Sequence, residues 1–411
     1  MNFEFFLARR MRTSSNNEST VSARIIKIAV LAIAIGLVMM LVAIGTSLGL
    51  QREIKAKTIA LSGDLRIAPF ENNNSSLSVT PIYSAEITPT IESNAQAIEH
   101  AYPFITKGVL LKTKNEFEGA ILKGVFQRFP WEELSSYLIE GRFPSYGTAI
   151  SKEMMLSVTL ARKLNLKIGD RVSAYFQNQE EGRLPRIRYF ILSATFQTGF
   201  PDFDDNYAFV DLRHLQKLNA WDENQIGGYE VFLKDDENTN AFAEKIYAAL
   251  PPHIDVQTVD QLYQGVFDWI ALFDFNVLII LIVMILVGTL NMATALLVLI
   301  LERSRMIGVL KALGATTAQV QKIFLFNATY IISKGLLWGN GFGLLLLYSQ
   351  LQWQWMQLDP ATYFVSTLPV YLPLHYWLGL NLLVLTICVA LLWIPSRIIG
   401  GIEPSRVLRF R

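Results

Sequence analysis

Asp202, Asp204 and Asp205 crowd into "GFPDFDDNY", and four histidines lie scattered at positions 100, 214, 253 and 375. Carboxylates and imidazoles hold metals and move protons, so they are weighed first. The aspartate run lacks the spaced ligands and closing glutamate of an EF-hand loop, and reads as a solvated turn. The histidines lack metal spacing. No GxxxxGK[ST] loop is present to cradle a nucleotide phosphate, and neither GxSxG nor HExxH occurs. The chain is therefore expected to hold no metal, bind no cofactor and perform no catalysis itself.

The chemistry that remains is recognition. In "ERSRMIGVLKALGATTAQVQK", residues 302–322, Met306, Val309, Leu310 and Leu313 recur at helical spacing. Arg303, Arg305 and Lys311 are left for the polar side. Gly314 is placed to stop the helix, and Thr316 with Gln319 has the spacing of a capping box that starts another. About 12 residues give a rod of roughly 18 Å, too short to cross a bilayer. Such a rod either docks on a partner or lies on lipid.

The surrounding elements explain where that rod sits. Residues 28–50, 275–301, 335–358 and 360–396 carry no charge, and each is long enough to span a hydrocarbon core of about 30 Å. The expected order is a basic segment 1–24, a span 25–50, an external α+β domain 51–272 and a second span 273–301. The short helix 302–316, a span 317–350, a loop 351–372, a span 373–395 and a tail 396–411 follow. Residues 51–274 hold 22 Lys+Arg against 30 Asp+Glu, whereas the rest hold 14 against 5. Arg9, Arg10, Arg12, Arg24 and Lys27 precede the first span, and Arg397, Arg406, Arg409 and Arg411 follow the last. The basic clusters all fall on one side, which the positive-inside rule makes cytoplasmic. The near-zero net charge of +1 is a cancellation and gives no reason to expect nucleic-acid binding. The first run is longer than a signal-peptide core, so an uncleaved anchor is expected. The lone Cys388 lies in the last span and leaves the external domain without disulfides.

Within the external domain, "LSGDLRIAP" and "GVLLKT" read as strands, and "SAEITPTIESNAQAIEH" ends in a helix-like stretch. "EMMLSVTLARKLNLKIGDRVSAYF" reads as helix, turn and strand, "NYAFVDLRHLQKL" as strand into helix, and "TNAFAEKIYAALPP" as an amphipathic helix. Residues 71–81 read as a loop or flexible tip. Residues 177–187, "QNQEEGRLPRI", join two strand-like runs by a loop longer than hairpins usually take. Gly335, Gly339 and Gly343 form a small-residue stripe, readable as a helix seam or as ordinary membrane glycine content. Lys334 is expected to snorkel to an interface, with its span beginning near Gly335.

The short helix resembles the cytoplasmic coupling helix of FtsX/MacB-type permeases of ABC transporters, through Glu302, Arg303, Ile307, Gly308, Leu310, Lys311, Gly314 and Ala315. Arg305 joins them in the implied docking surface. Met306 departs from the acidic or amide residue often found there. Pro395, Arg397, Pro404, Leu408 and Arg409 are similar to the closing segment, where Arg406 replaces a frequent glutamate. "LARRMR", "IGTSLGLQREI" and "LARKLNLKIGDRVS" bring the chain nearer the LolC/LolE permeases. The resemblance implies four transmembrane helices in the bacterial inner membrane, both termini cytoplasmic, and a two-lobed MacB-like α+β periplasmic domain. It implies a partner LolD-like ATPase that binds ATP and Mg, and a second permease copy or LolE/LolC-like paralogue. It also implies a LolA-like carrier recruited by a hook at Gly182, Arg183, Leu184, Pro185 and Arg186, and a lipoprotein seam at Gly45, Ser47, Gly49 and Leu50. A MacB-like exporter and an FtsX-like signalling subunit that controls a cell-wall hydrolase are the alternatives.

Overall fold

The computed structural model describes residues 20–73, 75–127, 129–132, 134–177, 184–234 and 238–401. Contacts divide the chain into two units. The first takes the stretch up to Arg52, Trp269–Gln357 and the chain from Thr367; the second takes Glu53–Asp268 and Leu358–Ser366.

The first unit is built on four helices that are, among the described residues, long and apolar enough to cross a membrane. They run Thr20–Ser62, Gln264–Glu302, Thr317–Trp353 and Leu374–Ser396. The first two overrun the expected limits of 25–50 and 273–301. Gln51, Arg52, Glu53, Lys55 and Lys57 end the apolar run, but they are good helix formers, so the helix continues where the hydrophobicity stops. The third helix is unbroken from Thr317, so a span that begins near Gly335 begins partway along it. Its 37 residues reach about 55 Å, well beyond a core of about 30 Å. Lys334 is exposed with its Nζ 4.8 Å over the Tyr330 ring.

The glycine stripe of the third helix is a seam with the first. A methyl on Gly335 would stand 2.7 Å from Ile33 Cγ2, and one on Gly339 2.8 Å from Leu37 Cβ and 2.9 Å from the Ala34 carbonyl. One on Gly343 would meet Leu41 Cδ1 at 2.8 Å. Three glycines four apart thus receive three side chains four apart, which is how helices approach closely in lipid. Between the third and fourth helices, Asn340 Nδ2 donates to Asn381 Oδ1 (2.6 Å) and Asn381 Nδ2 returns to Asn340 Oδ1 (3.1 Å). Trp377 Nε1 also donates to Asn340 Oδ1, at 2.6 Å.

The second unit is α+β. Its strands are β1 (Leu65–Pro69), β2 (Ile82–Tyr83), β3 (Ile98–Lys112), β4 (Phe117–Val125), β5 (Leu138–Gly141) and β6 (Glu153–Ser157). They continue with β7 (Arg171–Phe176), β8 (Arg186–Phe196), β9 (Tyr207–Asp211), β10 (Gln225–Ile226), β11 (Gly228–Leu233) and β12 (Ile254–Thr258). Pairing runs β3–β4–β9–β6–β8–β7 and back to β3, so six strands close on themselves. Leu122, Met154, Phe176, Phe190 and Val210 belong to the apolar core of this region. β3 also continues the sheet through β11, β1 and β12. There a second core gathers Leu65, Ile67 and Val231 with Ile87 of helix Ser84–Ser93 and Phe242 and Ile246 of helix Thr239–Ala249. The expectation of two lobes meets one continuous sheet with two apolar cores.

Several local readings change. "EMMLS" is β6, not helix: Met154, Met155 and Leu156 are fully buried between β8 and β9, and a two-sided apolar run cannot be told from helix by periodicity. "SAEITPTIES" is the helix, and the stretch ends in β3. The 71–81 region is tied down, because buried Asn72 accepts from Val79 and Thr80 backbone N–H through Oδ1 (2.9 and 3.1 Å). Asp204 is no solvated turn residue. It is buried and accepts from Thr198 N, Thr198 Oγ1 and Gly199 N at 2.8–3.0 Å. The segment Leu358–Ser366, which lies between the third and fourth helices, is held in this unit by Lys57. Its Nζ donates to the carbonyls of Thr198 (3.0 Å) and Phe364 (2.9 Å), and burial pulls its pKa down.

Candidate coupling, cargo and carrier sites

The short basic segment folds as helix Ser304–Ala312, nine residues, with Glu302 closing the preceding long helix. Gly314 adopts φ +97°, a left-handed conformation that suits glycine and reverses the chain. Thr316 Oγ1 then accepts from Gln319 N–H at 3.3 Å while Gln319 Oε1 accepts from Thr316 N–H at 2.9 Å, a complete capping box. A Gly stop followed at once by a fresh cap is what keeps the helix short.

The apolar face read from the spacing is divided between the core and the surface. Ile307 and Gly308 are buried and Leu310 is half-buried, whereas Val309 is 42% and Leu313 80% exposed. The reason is tertiary: Ile307 packs in one core with Val320 of the third helix and Ile399 of the 3-10 turn Arg397–Gly401. Lys311 also turns inward, donating from Nζ to the carbonyls of Ile399 (2.7 Å) and Gly400 (3.3 Å). It therefore braces the turn that follows the fourth helix instead of standing on a polar face. What faces outward is Arg305, Val309 and Leu313, four residues apart. Periodicity put Met306, Val309, Leu310 and Leu313 on one apolar face, and that face is shared: Met306 and Leu310 pack against the core while Val309 and Leu313 stay outward.

Gly45, Ser47, Gly49 and Leu50 are brought together, and all four are buried within the first unit. Tyr371 N–H donates to the Gly45 carbonyl (2.9 Å), and a methyl on Gly49 would stand 2.5 Å from the Pro369 carbonyl. Nearby, Arg52 lies 4.3 Å over the Tyr371 ring and Gln51 Nε2 donates to Asp274 Oδ1 at 2.6 Å. The seam is closed here. The exposed stripe of the first helix is instead Ile28, Leu31, Ile35 and Met39.

Of the hook, Gly182 and Arg183 lie outside the described residues. Leu184 is 88% exposed, and Pro185 is exposed beside it. Arg186 opens β8 and donates from Nη1 to the Leu218 carbonyl at 3.1 Å, so it anchors the loop end of the hairpin stem. β7 and β8 pair from Arg171↔Ile191 out to Phe176↔Arg186, a rigid stem for whatever the loop presents. Tyr189 and Ile191 on that stem are 48% and 44% exposed. Of the resembling C-terminal segment, Pro404, Arg406, Leu408 and Arg409 also lie outside the described residues, as does the N-terminal stretch before Thr20.

The chain joins long apolar helices to a large mixed domain, and the families it matches are those of transporter-type permeases. Residues 28–249 match the MacB-like periplasmic core domain, and 278–404 match the FtsX-like permease C-terminal domain. The chain belongs to the MacB-like periplasmic core domain family. Along its length it is similar to the "Lipoprotein-releasing system transmembrane protein LolC" of Neisseria meningitidis, at 22% identity over 93% of both chains. It is equally similar to the LolE protein of that system in Haemophilus influenzae, at 22% identity over 99% of both chains.

Proposed function

We propose that this chain is the permease subunit of an ABC transporter that extracts lipoproteins from the outer leaflet of the bacterial inner membrane and hands them to a periplasmic carrier. The end-to-end similarity to LolC and LolE carries this reading. Energetics say why a handover is needed: one sixteen-carbon acyl chain costs about 11 kcal/mol to place in water, at about 0.8 kcal/mol per methylene. Cargo must pass from one apolar site to another.

In this reading both termini and the short helix are cytoplasmic, and the helix seats Arg305, Val309 and Leu313 in a LolD-like ATPase that holds ATP and Mg. Glu302, Arg303, Ile307, Gly308, Leu310, Lys311 and Gly314 shape that helix and its mounting. Because Ile307 and Lys311 tie it to the third helix and the turn after the fourth, a push on it moves both. The closed packing at Gly45, Ser47, Gly49 and Leu50 then opens to admit acyl chains beside a second permease, identical or paralogous. The β7–β8 hairpin, through Leu184, Pro185 and Arg186 and the sequence Gly182 and Arg183 before them, offers the LolA-like carrier its docking point.

The test is purification of the chain in detergent from its own membranes. An ABC ATPase and acylated proteins are expected to co-purify, and V309D/L313D should release the ATPase while the lipoprotein stays. A bound cell-wall hydrolase in place of lipoprotein, or an ATPase retained by V309D/L313D, overturns the reading.

A further inference from the structure

A cavity of about 130 Å³ lies inside the second unit, walled by Arg66, Lys123, Glu230, Ser76, Tyr207 and Tyr263 among others. Such a volume takes several waters or one small polyatomic ion. Its charges do not balance. Lys123 and Glu230 form a buried pair at 2.7 Å, and Lys123 Nζ also donates to the Leu61 carbonyl (2.5 Å). That leaves the Arg66 guanidinium as the excess charge, 5.0 Å over the Phe104 ring. Its Nε and Nη2 are shielded from solvent and have no acceptor among the described residues. These two nitrogens form the edge by which arginine grips an oxyanion with two parallel hydrogen bonds. Leaving both unmade inside a protein is costly, so the arrangement calls for a ligand.

Hydroxyls complete the wall. Tyr207 and Ser76 line the cavity together, and the Tyr263 hydroxyl lies 2.5 Å from Ser62 Oγ. Hydroxyls donate to an anion yet carry no charge to compete with Arg66.

We propose that this cavity is a binding site for a small oxyanion, a carboxylate or a phosphate, gripped by Arg66 and solvated by the surrounding hydroxyls. Both nitrogens are closed to solvent as placed, so binding includes a turn of the guanidinium into the cavity that Arg66 lines. The site shares no residue with the short helix or the hairpin, and it does not rest on the transport reading.

The experiment is thermal melting of the full chain in detergent, with sodium phosphate, sodium formate or phosphatidylglycerol against sodium chloride at equal ionic strength. At an anion concentration a hundredfold above Kd, the melting point should rise by about 5 °C or more. Arg66→Met should abolish the rise, and Tyr207→Phe should diminish it should the first variant fail to fold. A response to formate alone assigns a carboxylate, to phosphate a free phosphate, and to the lipid alone a headgroup. Equal melting in every salt leaves water as the occupant and overturns the proposal, as does an undiminished rise in both variants.

Discussion

The two units keep their shape by opposite means. In the helical unit close shape contacts join the first and third helices, Gly335, Gly339 and Gly343 receiving Ile33, Leu37 and Leu41. In the α+β unit charge itself is buried, with Lys123 of β4 and Glu230 of β11 paired and almost wholly enclosed. Lipid offers helices no hydrophobic gain from meeting each other, so close fit must do the holding. Water-facing sheet gains from every apolar residue it hides, and that surplus tolerates a buried ion pair that adds little stability of its own. The contrast predicts which kind of substitution hurts each unit.

The largest effect should come from splitting the ion pair. Lys123→Met removes the cation from Glu230 and from the Leu61 carbonyl, at a cost of about 3–5 kcal/mol for the charge left behind. Limited proteolysis of the full chain in urea should show the α+β unit opening earlier. The double variant K123M/E230L should recover most of the loss, since the partnerless charge is then gone. A single variant as stable as the parent would break the comparison, because the enclosed pair would then matter no more than a surface one.

Next comes the glycine seam. Gly339→Val places atoms where Leu37 Cβ and the Ala34 carbonyl already stand, so one helix must move, at about 1–3 kcal/mol. A methyl on Gly341, in the same helix, would meet nothing within 4 Å, and Gly341→Val should leave thermal melting in detergent nearly unchanged. Equal effects at the two positions would show that glycine content, not fit, is what the third helix needs.

The same contrast explains what could be read in advance. The apolar runs, the Gly314 stop and the Thr316–Gln319 cap are local signals, written within a few residues of where they act. The glycine stripe was visible too, although nothing local said that Ile33, Leu37 and Leu41 would fill it. What escaped was settled by distant partners. Met306 and Leu310 pack inward because Ile307 finds Val320 and Ile399, and Lys311 turns in because a backbone turn 88 residues later offers its carbonyls. β6 was misread because a strand buried on both faces loses its alternation. The Asn340–Asn381–Trp377 cluster joins two helices whose pairing no spacing announces.

The smallest effect sharpens the comparison through pH, since only the α+β unit should carry it. His214 is half-buried against Phe190, with its ring Nε2 2.8 Å from the Ser151 carbonyl. Burial holds its pKa below the ordinary 6.5, opposed by that hydrogen bond and by Asp211, and helped by Arg188 and Lys217. Because the folded pKa is depressed, the unfolded chain binds more protons in the window just below pH 6.5, and stability rises with pH there. Acidification through that window should therefore lower the stability of the α+β unit, and His214→Gln, which keeps a donor for Ser151 but cannot titrate, should flatten the dependence. Proteolytic opening followed from pH 7 to 5 measures both. A parent as stable at pH 5 as at pH 7, or a variant just as acid-sensitive as the parent, would mean that the imidazole is not the group whose burial is paid in protons.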